Sequence, residues 1–278
     1  MEPGQGPGRP DKPGADPHHR ARRRFGQNFL HDPAVIDRIA RAVSPAPGDA
    51  LVEIGPGTGA LTRALFDAGA DLDVIEIDRD LAAHLAQMFP GNAALRIHNV
   101  DALDFDYGAL AAKRGPLRLI GNLPYNISTP LLFRFIASAG DVRDMHLMLQ
   151  REVADRIHAP PGSKTYGRLS VMVQFHCRVT SLFGVGPGAF RPAPRIRSAV
   201  VRLEPRSEPP APLTDAKCLE RIVTLAFGQR RKTLRNALKT CLPESAIRGA
   251  GIDPGARAET LTLDQFAALA NALAAVTR

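Results

Sequence analysis

The 278-residue chain has little with which to build a covalent or metal scaffold. Its three cysteines, Cys177, Cys218 and Cys241, are odd in number, far apart and without CxxC spacing. Neither a disulfide framework nor a zinc site is implied, and a reducing, cytoplasmic compartment fits this usage. The eight histidines include no HExxH or other convincing ligand spacing, so no metal is assigned. No apolar run approaches the roughly 20 residues that a membrane span requires. With 44% hydrophobic residues and a mean hydropathy of −0.12, the chain reads as soluble and globular, with no membrane-spanning segment expected. Repeats at solenoid periods are also missing. Residues 1–20 have almost no large apolar side chain and carry Pro or Gly at nearly every second position, so a disordered tail is expected. That tail lacks the apolar centre of a signal peptide, and Glu2, Asp11 and Asp16 argue against a transit peptide.

What is present is positive charge: +8 formally, with a pI near 9.9. This favours a polyanionic partner without distinguishing RNA, DNA and anionic membrane. The charge is clustered, as HHRARRR at 18–24 and QRRKTLRNALK at 229–239.

Asp32 followed by Pro33 marks a helix start, a capping carboxylate before a residue that needs no N–H donor. Val35, Ile36, Ile39 and Val43 give that helix its apolar face, and SPAPGD at 44–49 ends it. Short apolar runs then alternate with helix-like stretches: ALVEI, DLDVIEI, ALRIHNV, LRLIGNL and MHLML. Such alternation predicts an α/β fold with a mostly parallel, doubly wound sheet. Further on, LSVMVQFH is ambiguous between helix and strand, while VTSLFGV and SAVVRLE read as strands. RSEPPAPLTD at 206–215 reads as a linker, and the helical pattern beyond it carries 11 Lys or Arg against 7 Asp or Glu from residue 206 onward. A small basic helical domain is expected there.

Strand LVEI runs into GPGTG and then into a helical pattern. Gly55, Gly57 and Gly59 permit positive φ and close approach of a ligand to a helix N-terminus. The spacing is GxGxG, not the dinucleotide GxGxxG, which lowers the odds on NAD. Glu76 ends the next strand about 20 residues on, where a carboxylate can accept both ribose hydroxyls. Asp101 ends the third, placed to accept an adenine amino group. Together these strand ends suit an adenosine-containing ligand, although a tight turn and two solvated acids would read the same way individually.

The fourth strand stops on Asn122, Leu123, Pro124 and Tyr125. If the reacting group is an amino group on an sp² carbon, its lone pair is delocalised and weakly nucleophilic. The Asn122 side-chain carbonyl and the Leu123 backbone carbonyl could accept its two N–H bonds and localise that pair as charge develops. Pro124 restricts Leu123 to extended conformations and so aims its carbonyl. Tyr125 offers a ring for a flat base, worth roughly 1–3 kcal/mol. Attack on a sulfonium methyl yields an ammonium product that loses its proton to water, so no catalytic histidine is sought.

FGQNFL (25–30), EIGPGTG (53–59), EID (76–78), GNLPYNIST (121–129), AFRPAPRIRS (189–198) and AFGQRRKTLRN (226–236) occur in this order. With this set the chain closely resembles the ribosomal RNA adenine N6-dimethyltransferases, in their bacterial small-subunit branch, from about residue 22 to 275. The resemblance implies a Rossmann-like S-adenosyl-L-methionine methyltransferase domain over 21–205 and a helical RNA-binding domain over 206–278. It further implies dimethylation of two adjacent adenines near the 3′ end of small-subunit (16S) rRNA during ribosome biogenesis. Asn28 and Leu30 would join Gly55, Gly57, Glu76, Asp101 and Asn122 around the cofactor, and Phe190 would pack on the target adenine opposite Tyr125. The departures are the long N-terminal tail and Gly228.

Arg231, Arg235 and Lys239 fall at i, i+4 and i+8, with Leu234, Leu238 and Leu242 on another face, which predicts a basic amphipathic helix. With Arg230 and Lys232 it is the expected contact to the small-subunit precursor. A monomer is expected. The alternatives are methylation of large-subunit RNA, of DNA adenine or of a protein glutamine, and a ribosome-assembly checkpoint that binds without catalysis.

Overall fold

A computed structural model describes residues 27–277, so the tail and the basic cluster at 18–24 lie outside the described residues. The elements run β1 (Phe29–Leu30), α1 (Pro33–Val43), β2 (Ala50–Ile54), α2 (Ala60–Asp67), β3 (Leu72–Ile75), α3 (Arg79–Met88), β4 (Leu95–His98), α4 (Tyr107–Arg114), β5 (Leu117–Asn122), α5 (Ser128–Ala137), β6 (Val142–Gln150), α6 (Arg151–Ile157), α7 (Arg168–His176), β7 (Cys177–Val185), β8 (Phe190–Arg191), β9 (Ser198–Pro205), α8 (Ala216–Gly228), α9 (Leu234–Ala237), α10 (Glu244–Gly249) and α11 (Leu263–Thr277). Asp32 caps α1 as expected, accepting from the amides of Ala34 and Val35 at 2.9 and 3.3 Å.

Seven strands form one mixed sheet in the order β4-β3-β2-β5-β6-β9-β7, parallel through β6, with β9 antiparallel to both of its neighbours. The apolar runs became strands because both faces of the sheet are covered, and a strand buried twice reads as a continuous hydrophobic run. Leu51, Val74, Ile120, Met148 and Val200 point into one buried layer, which includes Ile39 and Val43 of α1. Val52, Leu119, Leu147 and Val201 point into the other. A separate two-stranded ribbon pairs β1 with β8, setting Leu30 opposite Phe190.

LSVMVQFH, which the sequence left open, is helix α7. Six of its nine residues are buried. It shows no one-sided period because it is enclosed on nearly every side: α5, α6 and α8 all pack against it. Residues 206–215 carry no helix or strand, and the helices that follow pack on α7 through α8 and α11. Phe175, Ile222, Val223 and Phe266 belong to one apolar cluster, and the buried Tyr166 hydroxyl donates to the carbonyl of Leu261 at 3.0 Å.

The basic helix expected over 231–242 is not continuous; only Leu234–Ala237 is helical. The amides of Leu234 and Arg235 donate to the carbonyls of Ala256 and Pro254, which pins the chain to a neighbouring loop. Pro243 then closes the route to a longer helix. Leu234, Leu238 and Leu242 nevertheless face inward, and Arg231, Arg235 and Lys239 outward. No helix among the described residues is long and apolar enough to cross a membrane.

Candidate active site

The carboxyl ends of β2, β3 and β5, the turn after β4 and the 27–30 segment enclose a cavity of about 270 Å³. It lies where the chain order reverses on either side of β2, the place at which open α/β sheets take ligands. Gly57 cannot be replaced without disturbance: its φ is +58°, and a Cβ there would stand 2.9 Å from Cδ1 of Phe29. The glycine thus lets the N-terminal segment lie directly over the turn. Helix α2 begins just beyond, with no side-chain cap on its first amides.

Three carboxylates line the cavity. Glu76 is buried, and its two oxygens accept from the amides of Gly57 (3.2 Å) and Asp78 (2.9 Å). Burial pushes its carboxyl up and the nearby Asp78 charge adds to this, against the two amides. Each oxygen keeps a further lone pair for a ligand hydroxyl. Asp101 sits in the turn three residues beyond β4, not on the strand itself, and accepts from the Leu103 amide at 2.9 Å. The third, Glu53, was not singled out from the sequence. It is 2% exposed, and burial drives its carboxyl up to about 7, with the Thr62 hydroxyl opposing and the Glu76 charge reinforcing the shift. Within ALVEI it looked like one more strand residue. Gln27, whose side chain donates to Asp78 at 3.3 Å, and Phe29 also line the cavity and were likewise missed.

Asn28, Leu30, Gly55, Gly57, Glu76, Asp101, Asn122, Leu123, Pro124 and Tyr125 all border this one cavity. The side chain of Asn122 donates through Nδ2 to the Asn28 carbonyl at 2.9 Å, which orients the amide and leaves its oxygen on the other side. Close approach of β5 to β2 puts Asn122 there. A Cβ on the preceding Gly121 would lie 2.5 Å from the Ile54 carbonyl oxygen. The turn consumes the Pro124 carbonyl (Ile127 N–H, 3.1 Å) and the Tyr125 carbonyl (Ser128 hydroxyl, 3.3 Å), whereas that of Leu123 enters none of its hydrogen bonds. The Tyr125 hydroxyl meets Ser198 Oγ at 2.6 Å, a contact across 73 residues that fixes the ring. Burial raises the phenol, with Ser198 opposing.

Phe190 departs from expectation. It is 2% exposed, borders no part of the cavity, and packs beneath it in the apolar layer with Leu30, Met148 and Val200. Stacking on a base requires an exposed ring face, so in this conformation Phe190 anchors β8 to β1 and supports the rim from below.

The basic segment lies apart from the cavity. Arg230 is engaged by Glu259 and by the Lys164 carbonyl, both at 2.7 Å. Arg231, Lys232, Arg235 and Lys239 are exposed and enter no ion pair among the described residues.

The chain is similar to known proteins over most of its length. The chain is 56% identical over 256 residues to "Ribosomal RNA small subunit methyltransferase A" of Pseudomonas fluorescens, covering 92% of this chain and 95% of that protein. Its namesake in Acinetobacter baylyi is 56% identical over 253 residues, covering 91% and 92%. Among solved structures, a dimethyladenosine transferase from Plasmodium falciparum superposes with a TM-score of 0.71 at 25% identity, covering 87% of this chain and 95% of that one. The 23S rRNA methyltransferase ErmE superposes with a TM-score of 0.65 at 28% identity, covering 89% and 100%. A family model, "Ribosomal RNA adenine dimethylase", matches residues 18–275, and the chain belongs to that family.

Proposed function

We propose that the protein transfers methyl groups from S-adenosyl-L-methionine to the N6 amino groups of two adjacent adenines near the 3′ end of small-subunit (16S) rRNA, as a cytoplasmic monomer acting in ribosome biogenesis. The observation that carries this reading is the convergence of Asn122 to Tyr125 on the cavity bordered by Gly57, Glu76 and Asp101. The small-subunit target draws on the relatives' names and on their coverage of nearly the whole chain.

The cavity's chemistry suits such a cofactor: glycine turn for close backbone approach, Glu76 for the ribose hydroxyls, Asp101 for the adenine amino group. When bound, the cofactor supplies an electrophilic methyl group on a sulfonium. The chain's own residues prepare the nucleophile. Asn122 Oδ1 and the Leu123 carbonyl accept the two N–H bonds of the target amine, so its lone pair turns toward the methyl as positive charge grows on nitrogen. Tyr125 holds the base by stacking, with its hydroxyl tethered to Ser198. The resulting ammonium then releases its proton to water. Flipping out the target costs a few kcal/mol, least where the adenine is unpaired.

The decisive experiment incubates the protein and labelled S-adenosyl-L-methionine with small-subunit particles from cells lacking the gene. Nucleoside mass spectrometry and primer extension should find N6,N6-dimethyladenosine at two neighbouring positions near the 3′ end. Label confined to large-subunit RNA would overturn the target. Particle binding without transfer, with cofactor binding intact, would favour the checkpoint reading.

We assign the RNA grip to the 206–278 helical domain, through Arg231, Lys232, Arg235 and Lys239, with Arg230 holding the segment to Glu259. Arg231→Ala with Arg235→Ala should weaken particle binding and lower the slope of log K against log salt by about 1.4–1.8, two phosphate contacts at about 0.7–0.9 each. Filter binding across a KCl series reads this directly. An unchanged slope would remove the segment from the interface.

A further inference from the structure

The loop joining β8 to β9 carries a second set of cations that the RNA reading above does not use. From residue 191 it reads Arg-Pro-Ala-Pro-Arg-Ile-Arg, and Arg191, Arg195 and Arg197 are all exposed. None of the three enters an ion pair among the described residues. By contrast, the arginines on the adjoining α6 are already satisfied, Arg151 by Asp155 at 2.8 Å and Arg156 by Glu152 at 2.6 Å. In sequence Ile196 lies between Arg195 and Arg197, and it is 43% exposed, among the few large aliphatic side chains left so open.

Both ends of the loop are tied to the site. At its start Phe190 pairs with Leu30 of the cavity rim. At its end the Arg197 carbonyl accepts from the Arg151 amide at 2.9 Å, and the next residue, Ser198, holds the Tyr125 hydroxyl. Pro192 and Pro194 stiffen what lies between. Neither this loop nor the basic segment at 231–239 lines the cavity, but Arg197 stands one residue from the group that orients the stacking ring.

We propose that residues 191–197 are a second RNA contact, at the reacting base itself. Arg195 and Arg197 take phosphates of the single strand that flanks the target adenine, and Ile196 packs on the neighbouring base. The chemistry fits one occupant. A guanidinium fork without a carboxylate partner matches phosphate oxygens in pairs, and an aliphatic tip between two such forks matches the flat face that alternates with phosphates along a single strand. The two basic surfaces then divide the labour: the C-terminal segment supplies distant affinity, and the loop presents the base. The inference rests on the rRNA reading above.

The test uses the full chain and small-subunit particles lacking the modification. Arg195→Ala with Arg197→Ala should lower the salt slope of binding by about 1.4, two single-strand contacts at about 0.7 each, and reduce kcat/KM for methyl transfer about tenfold. Arg195→Lys with Arg197→Lys should keep the slope. Ile196→Ser should weaken binding with the slope unchanged. Calorimetry should give all three variants the wild-type affinity for S-adenosyl-L-methionine, because none of these side chains borders the cavity. A wild-type slope in the double alanine variant overturns the proposal, and so does a loss of cofactor affinity equal to the loss of RNA affinity. If the wild-type protein binds particles but methylates no RNA, the functional reading fails, and the slope comparison still decides the loop.

Discussion

Asn122→Ala is expected to lower the single-turnover rate of methyl transfer by about 10²–10³, the usual cost of removing one preorganised polar group aimed at developing charge. The side chain has two engagements. Its Nδ2 holds the Asn28 carbonyl, and its oxygen is the acceptor we assign to the target amine. Alanine removes both, but they differ in size. The link to Asn28 is one neutral hydrogen bond at a half-buried position, worth about 0.5–1.5 kcal/mol net. The acceptor faces a nitrogen that is becoming positive, where the interaction is stronger than one between neutral groups. The rate should therefore fall far more than cofactor affinity, and RNA binding should stay near wild type, since phosphate contacts elsewhere dominate it. Rapid-quench kinetics beside filter binding separates the two. Equal losses of transfer and RNA binding would reject the assignment of Asn122 to the methyl-transfer step.

Glu76→Ala should raise the dissociation constant for S-adenosyl-L-methionine by about 10²–10⁴, from two charge-assisted hydrogen bonds at about 1.5–3 kcal/mol each. The effect on folding is smaller because two contributions oppose. Without the carboxylate, the Gly57 and Asp78 amides lose their acceptor. But a buried carboxylate whose proton affinity is raised by burial and by Asp78 is itself costly to hold, and its removal relieves that. Ligand affinity should thus collapse while the thermal midpoint of the unliganded protein moves by only a few degrees. Calorimetry and a melting curve together check this. Wild-type cofactor affinity in the variant would move the ribose site elsewhere.

The sheet and half of the cavity were legible because they depend on local pattern. Parallel strands buried on both faces appear as unbroken apolar runs, and a glycine turn or a strand-ending carboxylate needs only its neighbours in sequence to be seen. What was hidden depends on distant pairing. Helix α7 has no one-sided period because it is enclosed all round. The leucines at 234, 238 and 242 reported their inward face correctly, yet spacing carries no information about the carbonyls of Ala256 and Pro254 that interrupt the helix. Phe190 looked available as a loop aromatic. Only the ribbon between β1 and β8, joining segments some 160 residues apart, reveals that its ring is used underneath. Glu53 was concealed by its own strand, and Ser198 becomes a neighbour of Tyr125 only once β5 and β9 have settled on either side of β6.

The tethered ring of Tyr125 also makes the site its own optical reporter. The chain has no tryptophan and only three tyrosines. Tyr107 is fully buried, its hydroxyl donating to the Ala102 carbonyl, with its ionisation pushed far up by burial; Tyr166, buried against Leu261, is pushed up to about 12. Tyr125 alone among them borders the cavity. If Tyr125 stacks on the target as proposed, ultraviolet absorption and emission should contain one phenol that responds to an arriving base, against a background of two sealed in the core.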